Sequence, residues 1–314
     1  MQIYLPIAEI PVNIILILLL GLMTGFLAGM FGIGGGFLAT PLLMFIGIPP
    51  AIAVSTSTNQ IIASSVSGLL GHLRKGNVDL KMGIFLVIGG FFGSSFGVTI
   101  FKLLQKTGHT EIVVSLIYVL FLGSISITML IDSIKTLVTK KYGITWEKNK
   151  RSKMAKFLTK IDRLPWQQEF PKSGIKISVI VPIVLSVGIG ILVSLMGIGG
   201  GFLMIPAMIY ILRMPSAVVV GTSLFQIIFI ASNATFLQAV TNNTVDIVLA
   251  FLMIISSAIG AQIGTRSVYK FDADSMRIFL SMLILGVCLK ILFTLLAAPE
   301  SLYTIEFLKW EKFF

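Results

Sequence analysis

The sequence predicts an all-α polytopic membrane protein with two homologous halves and 8–10 transmembrane or half-membrane helices. Apolar residues make up 56% of the chain and charged residues 12%, whereas an ordinary soluble domain has about 25% charged residues. No ionisable side chain lies between Glu9 and His72, a stretch long enough for several bilayer crossings. A glycine-rich stretch also occurs twice, as FGIGGGFL at 31–38 and MGIGGGFL at 196–203.

The second half of the chain repeats the first at a distance of roughly 165 residues. Pro41 and Pro206 follow the two glycine-rich stretches at the same distance. Residues 54–62 are echoed by 220–228, and the pairs that recur later in the chain are Asp79 with Asp246, Gly93 with Gly260, and Gly97 with Gly264. A repeat with an apolar, glycine-interrupted opening is typical of transporters built from two related halves.

The apolar pattern predicts five helical segments in each half. Those of the first half are 12–30, 37–48, 51–71, 82–101 and 112–134, and those of the second are 177–195, 202–212, 217–240, 245–268 and 276–296. The second segment of each half is too short to cross a bilayer, which needs about 20 residues. Short, glycine-interrupted segments at matching places in two halves indicate a transport site.

Charge predicts how the halves are related. Lys and Arg collect in cytoplasmic loops. The fraction of Lys and Arg that falls on one side of the membrane is largest if each half crosses the membrane an odd number of times. An odd count makes the halves inverted repeats with both termini outside. It also places the segment that joins the halves in the cytoplasm.

The chain therefore divides into a first transmembrane repeat at 1–135, a basic cytoplasmic loop at 136–175, a second repeat at 176–298 and a tail at 299–314. Half of the 24 Lys and Arg lie between Lys135 and Lys176. Within that stretch Met154, Phe157, Leu158 and Ile161 recur at helical spacing among basic residues. This pattern predicts a helix that lies on anionic lipids, although a regulatory or partner-binding role is also open.

The glycine-rich stretches are candidate anion-binding sites. Each precedes a short segment, so their amides would form a helix N-terminus, where unpaired N–H groups and the helix dipole favour an anion. The candidates are Gly34, Gly35, Gly36, Gly199, Gly200 and Gly201. The alternative is that these glycines only allow close helix packing, as we expect for Gly21, Gly25 and Gly29.

Uncharged polar residues form a second candidate group. Hydroxyls and amides can bind an oxyanion and release it again, although they also form ordinary hydrogen bonds between membrane helices. The candidates are Thr56, Ser57, Asn59, Gln60, Thr222, Ser223, Gln226 and Asn233. Lys290 lies inside an apolar segment and is either a counter-charge for the anion or a side chain that extends to the interface.

Several function classes lack support in the sequence. His72, His109 and Cys288 are far apart, so no metal-ligand cluster is expected, and no catalytic trio or nucleotide fingerprint is present. We therefore expect no enzyme, no cofactor and no metal. The net charge of +11 lies mostly in the central loop and indicates anionic lipids rather than nucleic acid.

Taken together, these motifs resemble the sulfite exporter TauE/SafE family of membrane transporters. The resemblance rests on the duplicated GIGGGFL stretch with its proline, on the Thr-Ser elements at 56–60 and 222–226, and on Gly260 and Gly264. It covers about 14–296 and implies a multi-pass permease of the inner or plasma membrane that exports sulfite, sulfonates or related sulfur-containing anions. The glycine-rich motif maps to 32–36 and 197–201.

The function predicted is thus a secondary transporter that works by alternating access, with a small anion as its partner. An anion channel and a membrane-embedded binding or scaffold subunit are the alternatives. The long basic segment at 135–176 is unlike many relatives of the family and leaves regulation open.

Overall fold

The computed structural model describes residues 2–31, 34–108, 110–142, 164–267 and 273–296. Gly32 of the first glycine-rich motif, His109, the basic helix predicted around 154–161 and the tail at 299–314 lie outside the described residues.

Each half opens with a β-hairpin that is followed by five helices. In the first half, β1 (Gln2–Leu5) pairs antiparallel with β2 (Ile10–Asn13). The helices that follow are α1 (Ile14–Phe31), α2 (Gly36–Phe45), α3 (Pro50–Arg74), α4 (Leu80–Lys106) and α5 (Thr110–Tyr142).

The second half repeats this order. Strand β3 (Gln167–Phe170) pairs antiparallel with β4 (Ile175–Ser178). The helices are α6 (Ile180–Met196), α7 (Gly201–Tyr210), α8 (Ser216–Leu237), α9 (Ile247–Ser267) and α10 (Ala273–Leu296), with a π-helical turn, Gln238–Asn242, after α8. Within the described ranges, six helices are long and apolar enough to cross a membrane. The prediction of an all-α polytopic membrane protein is confirmed.

Helices of one half pack mainly on helices of the other. Helix α1 packs on α9, α4 on α6, α3 on α8 and α5 on α10. Because α6, α8, α9 and α10 correspond to α1, α3, α4 and α5 in the sequence repeat, these contacts are related in pairs by a pseudo-two-fold axis.

The α1–α9 contact shows the direction of both helices. Gly21 lies against Ser256 and Gly29 lies against Ala261, so residue numbers rise together and the helices run parallel. A Cβ atom at Gly25, midway along the contact, would collide with the backbone of Ser257. The predicted close packing at Gly21, Gly25 and Gly29 is confirmed.

The equivalent α4–α6 contact is also parallel. Gly89 lies against Ile183, and Gly97 lies against Ile191. Helix α3 also runs parallel to α9. Thr56 near the start of α3 contacts Asp246 just before α9, and Arg74 at the end of α3 lines the same groove as Arg266 at the end of α9.

These directions establish that the halves are inverted. Helices α1, α3 and α9 run in the same direction. Helix α4 follows the turn at 75–79 and runs in the opposite direction, and α6 is parallel to α4. The corresponding helices α1 and α6 therefore run in opposite directions, as the odd number of crossings predicted. The β3–β4 hairpin then lies on one side, named here the central-segment side, and the β1–β2 hairpin lies on the opposite side, named the terminal side.

A bulkier residue in the α4–α6 contact is expected to break it. The backbone of Val187 occupies the space that a Cβ atom of Gly93 would need, so Gly93→Val forces the two helices apart at a cost of about 3 kcal/mol or more. Gly188→Val is the control, since no atom lies within 4 Å of a Cβ atom at that exposed position of α6. Size-exclusion chromatography after a heating series should show early loss of the folded peak for Gly93→Val only. Equal thermal stability of the two variants would contradict this packing.

Two buried aspartates join the halves. Asp79 caps α4 by accepting from the Met82 amide, and its second oxygen accepts from Ser173 in the β3–β4 turn. Asp246 caps α9 by accepting from the Leu249 amide, and its second oxygen accepts from the Ile7 amide in the β1–β2 turn.

The two hairpins were not predicted from the sequence. The turn of each hairpin is hydrogen-bonded to the aspartate that caps a helix of the opposite half. This shared role explains why Asp79 and Asp246 recur in the sequence repeat. Aspartate is also a preferred residue at a helix N-cap, which is the position of both residues.

Candidate functional site

Two glycine turns meet at the centre of the protein. The first is Gly34–Gly36 before α2, and the second is Gly197–Gly201 before α7. A Cβ atom on Gly36 would lie 2.6 Å from the carbonyl oxygen of Gly197. The backbones of the two turns are therefore close enough that side chains would keep them apart.

Backbone conformation explains why these positions hold glycine. The φ angles are +86° at Gly34, +72° at Gly35, +79° at Gly199 and +72° at Gly200. Residues with a Cβ atom rarely adopt this left-handed region. Gly35 and Gly200 are the residues that immediately precede α2 and α7.

The first turns of α2 and α7 lie side by side. Phe37 and Phe202, equivalent residues at the second positions of these helices, stack with their ring centroids 5.2 Å apart and an angle of 13° between their planes. Neither helix has a side-chain cap. Two uncapped N-termini with the same sign of helix dipole are thus brought together, which favours a negative charge nearby.

An isoleucine fills the space between the glycine turns. Ile61 contacts the positions where Gly34, Gly36 and Gly199 would carry a Cβ atom. Its equivalent, Ile227, is also fully buried and packs in the same apolar cluster. The structure is therefore a closed conformation in which an apolar side chain covers the glycine turns.

Hydroxyl groups of the first half hold the second glycine turn. Ser57 Oγ lies 2.6 Å from Thr40 Oγ1 and donates to the carbonyl of Gly197 over 3.3 Å. Tyr118 donates its hydroxyl to the carbonyl of Met196. These bonds satisfy backbone carbonyls that the break between α6 and α7 would otherwise leave unpaired.

The predicted threonines serve the contact between the halves. Thr56 accepts from the amide of Asp246 over 3.2 Å, and Thr222 accepts from the amide of Asp79 over 2.9 Å. Each hydroxyl thus lies at the start of a helix of the opposite half, on opposite sides of the protein. The structure places them away from the glycine turns.

The other predicted polar residues have different surroundings. Ser223 donates to the carbonyl of Val220, and Asn59 donates weakly to that of Thr56. Asn233 donates to Ser94 and Ser95 and so joins α8 to α4. Of the hydroxyl residues in the two Thr-Ser elements, Ser57 is therefore the one that bonds to a glycine turn. Further along α3, Ser64 also donates to the carbonyl of Gly34 over 3.2 Å.

Lys290 lies far from the glycine turns. Its ammonium group is exposed and lies 4.1 Å from the ring centroid of Phe45, at the far end of α2. Nine residues separate Phe45 from Gly36, which corresponds to about 14 Å of helix. This cation–π contact and the exposure agree with a side chain that extends to the interface rather than with a central counter-charge.

The two glutamines have unequal hydrogen bonding. Gln60 donates to the hydroxyl of Thr24, and the carbonyl of Thr24 lies 2.7 Å from the Cβ position of Gly35. In the second half Ile189 takes the place of Thr24, and it packs at the Cβ position of Gly200.

Gln226 consequently has no partner. Its side chain is fully buried, and neither its amide nitrogen nor its amide oxygen has a hydrogen-bond partner among the described residues. The oxygen of Gln60 is unpaired as well. An unsatisfied buried polar group costs about 1–3 kcal/mol, so these amides indicate a site that a polar ligand completes.

Sequence reasoning missed Thr24, Thr40 and Ile61. An alignment of α1 with α6 would have shown that Ile189 replaces Thr24. This replacement indicates that Gln226 lacks the hydroxyl partner that Gln60 has. Nothing in the sequence indicated that Ile61 lies between the two glycine turns. In the described part of the chain, no group of three His, Cys, Asp or Glu residues is placed to hold a metal ion.

The chain is similar to membrane proteins of other organisms. It is 28% identical over 279 residues to the probable membrane transporter protein YjnA of Bacillus subtilis, covering 88% of this chain and 98% of the relative. A probable membrane transporter protein of Methanocaldococcus jannaschii is 28% identical over 293 residues, covering 87% of this chain and 92% of the relative. Sulfite exporter TauE/SafE family protein 1 of Arabidopsis thaliana is 31% identical over 103 residues, covering 32% of this chain and 23% of the relative.

No solved structure matches the chain. The family model described as "Sulfite exporter TauE/SafE" matches residues 17–291, which include both hairpin-linked aspartates, both glycine turns and both glutamines. The protein is therefore an integral multi-pass membrane protein that belongs to the sulfite exporter TauE/SafE family.

Proposed function

We propose that this protein is a secondary transporter of the cell membrane that exports sulfite, a sulfonate or a related sulfur-containing anion by alternating access. The proposal is carried by the fully buried amide of Gln226, which has no partner among the described residues, together with the two uncapped helix N-termini at the glycine turns. The family description supports a sulfur oxyanion as the substrate.

The central groups suit an oxyanion that has to leave again. Amide and backbone N–H groups donate hydrogen bonds without carrying a full positive charge, so they hold an anion less tightly than an arginine would. A transport site needs this balance between binding and release. The amide donors in question belong to Gln60, Gln226 and the first residues of α2 and α7.

The inverted halves supply a means of exposing this site to each side in turn. Ile61 and Ile227 are related by the pseudo-two-fold axis and cover the glycine turns. Rocking of one half against the other would withdraw these side chains and open a path to one side, while the equivalent contact on the other side stays closed.

The proposal is tested by uptake of radiolabelled sulfite into proteoliposomes that contain the purified protein. We expect saturable flux that a sulfonate inhibits and a carboxylate does not. Flux that does not saturate, together with single-channel currents, would favour an anion channel. Absence of flux for sulfite, sulfate and a sulfonate would contradict the proposal and favour a binding or scaffold subunit.

A further inference from the structure

A polar groove lies between the C-terminal halves of α3 and α9 on the central-segment side. Its volume is about 520 Å³. Five polar side chains line it, from α3 Ser67 and Arg74 and from α9 Gln262, Thr265 and Arg266. The groove is separate from the glycine turns and from the residues assigned to the central site.

The two arginines in the groove have no acidic partner among the described side chains. Neither Arg74 nor Arg266 forms an ion pair or a hydrogen bond with the residues that the structure describes. The salt bridge seen among those residues joins Lys176 to Glu169 instead. Both arginines are exposed and line the same groove, where two positive charges attract an anion. Arginine also presents several N–H donors in a planar arrangement that matches the oxygens of an oxyanion.

At the equivalent positions of the symmetry-related contact, between α8 and α4, the sequence has no charged residue. By the sequence repeat, Val240 corresponds to Arg74 and Thr99 corresponds to Arg266. Asn233, the counterpart of Ser67, donates to Ser94, Ser95 and the carbonyl of Phe91, which closes the space between α8 and α4. The arginine pair thus lies on the central-segment side alone, the side on which Lys and Arg also collect along the sequence.

The groove is aligned with the central site along α3. Gln60, Ser67 and Arg74 recur every seven residues, so they lie on nearly the same face of the helix. Fourteen residues separate Gln60 from Arg74, which is about 21 Å of helix. One face of α3 therefore carries polar groups from the unpaired Gln60 oxygen to the central-segment side.

We propose that this groove binds an oxyanion, with Arg74 and Arg266 as its counter-charges and Gln262 and Ser67 as hydrogen-bond donors. The chemistry is shared by a free sulfur oxyanion and by the phosphate of an anionic lipid. Val66 and Leu70 border the groove with 40% and 55% of their surface exposed, so an alkyl chain attached to the anion would find apolar contacts. The site exists whether or not the central site transports sulfite.

The test uses a reporter thiol in the groove of the full-length protein. Gly71 lines the groove, and no atom lies within 4 Å of a Cβ atom there, so Gly71→Cys fits without strain. The one native cysteine, Cys288, is replaced by alanine. The protein is placed in phosphatidylcholine nanodiscs, and its reaction rates with the anionic 2-sulfonatoethyl and the cationic 2-(trimethylammonium)ethyl methanethiosulfonates are compared.

Each rate is divided by the rate of the same reagent with a small free thiol, because a thiolate intrinsically reacts faster with the cationic reagent. On this scale we expect the anionic reagent to react ~10-fold faster than the cationic one at low salt, because the two guanidinium groups attract it. The preference should disappear in the double variant Arg74→Val and Arg266→Thr, which installs the residues that the other half tolerates at the equivalent positions. Thr99→Cys, exposed on the terminal side, is the control and should show no preference. Gln226→Leu should leave the labelling ratio unchanged, which separates this site from the central one.

Two additions identify the source of the anion. Protection of Gly71→Cys by sulfate or methanesulfonate in phosphatidylcholine indicates a free anion, whereas protection by phosphatidylglycerol in the nanodisc indicates a lipid headgroup. Sulfite is left out of this assay because it destroys methanethiosulfonates and cleaves the mixed disulfide that they form. Protection by a free anion or by the lipid supports the groove as an oxyanion site. A labelling ratio that is the same with and without the arginines, or no protection by sulfate, methanesulfonate and phosphatidylglycerol alike, would overturn the proposal.

Discussion

Gln226→Leu is expected to reduce sulfite flux about 10-fold or more without loss of thermal stability. A hydrogen bond from an uncharged donor to a charged ligand is worth about 1.5–3 kcal/mol, which corresponds to a factor of roughly 10 to 150 in affinity. The same amide contributes no hydrogen bond to the closed structure, where both of its polar atoms are unpaired. Leucine has a similar size and no polar atom to bury, so the folded state should be as stable as before or more stable.

Gln238→Leu is the matched control for this prediction. Gln238 is also buried near the end of α8, but its amide nitrogen donates to the carbonyl of Ser194 over 3.3 Å, and its oxygen accepts from Asn242. Losing both bonds should lower the thermal midpoint. Radiolabelled sulfite flux and thermal unfolding would be measured on both variants in parallel.

The two readouts exclude a merely structural role. If Gln226→Leu lowers the thermal midpoint as much as Gln238→Leu does, the Gln226 amide has a partner in the folded protein. That result would contradict the statement that the amide is unpaired. Wild-type flux in Gln226→Leu would show that the amide does not contact the transported anion.

Much of the fold could be predicted because a bilayer restricts the alternatives. Apolar segments of sufficient length must be helical, and the repeat identifies which segments correspond. Charge then indicated the inversion, which the parallel contact of Gly21 and Gly29 with α9 confirmed. The β-hairpins could not be predicted, since four-residue strands carry too short a pattern to recognise.

The site was predicted less well, because a repeated motif identifies equivalent residues and not their partners. The Thr-Ser elements recur in both halves, yet Thr56 and Thr222 bind the backbones of Asp246 and Asp79 at the contact between the halves. Their recurrence therefore has an explanation in assembly. Gln226 recurs without any such partner, and this difference emerges once the side chains around it are known.

The glycine turns provide the second large prediction, which is that Gly35→Ala and Gly200→Ala abolish transport while the protein still inserts into the membrane. Both residues have φ of +72°, where an alanine costs about 1–2 kcal/mol. A Cβ atom would also lie 2.7 Å from the carbonyl oxygen of Thr24 at Gly35, and 2.8 Å from Val193 Cγ2 at Gly200. The turns must therefore shift, and the first residues of α2 and α7 shift with them.

Gly47→Ala separates this displacement from backbone strain alone. Gly47 follows α2 with φ of +95°, and no atom lies within 4 Å of a Cβ atom there. The substitution thus introduces left-handed strain without a collision, and we expect nearly normal sulfite flux. Membrane insertion of all three variants would be checked by fractionation and size-exclusion chromatography before flux is measured. Normal flux in Gly35→Ala and Gly200→Ala would mean that the glycine turns do not position the anion, whereas equal loss in Gly47→Ala would attribute the effect to backbone strain wherever it occurs.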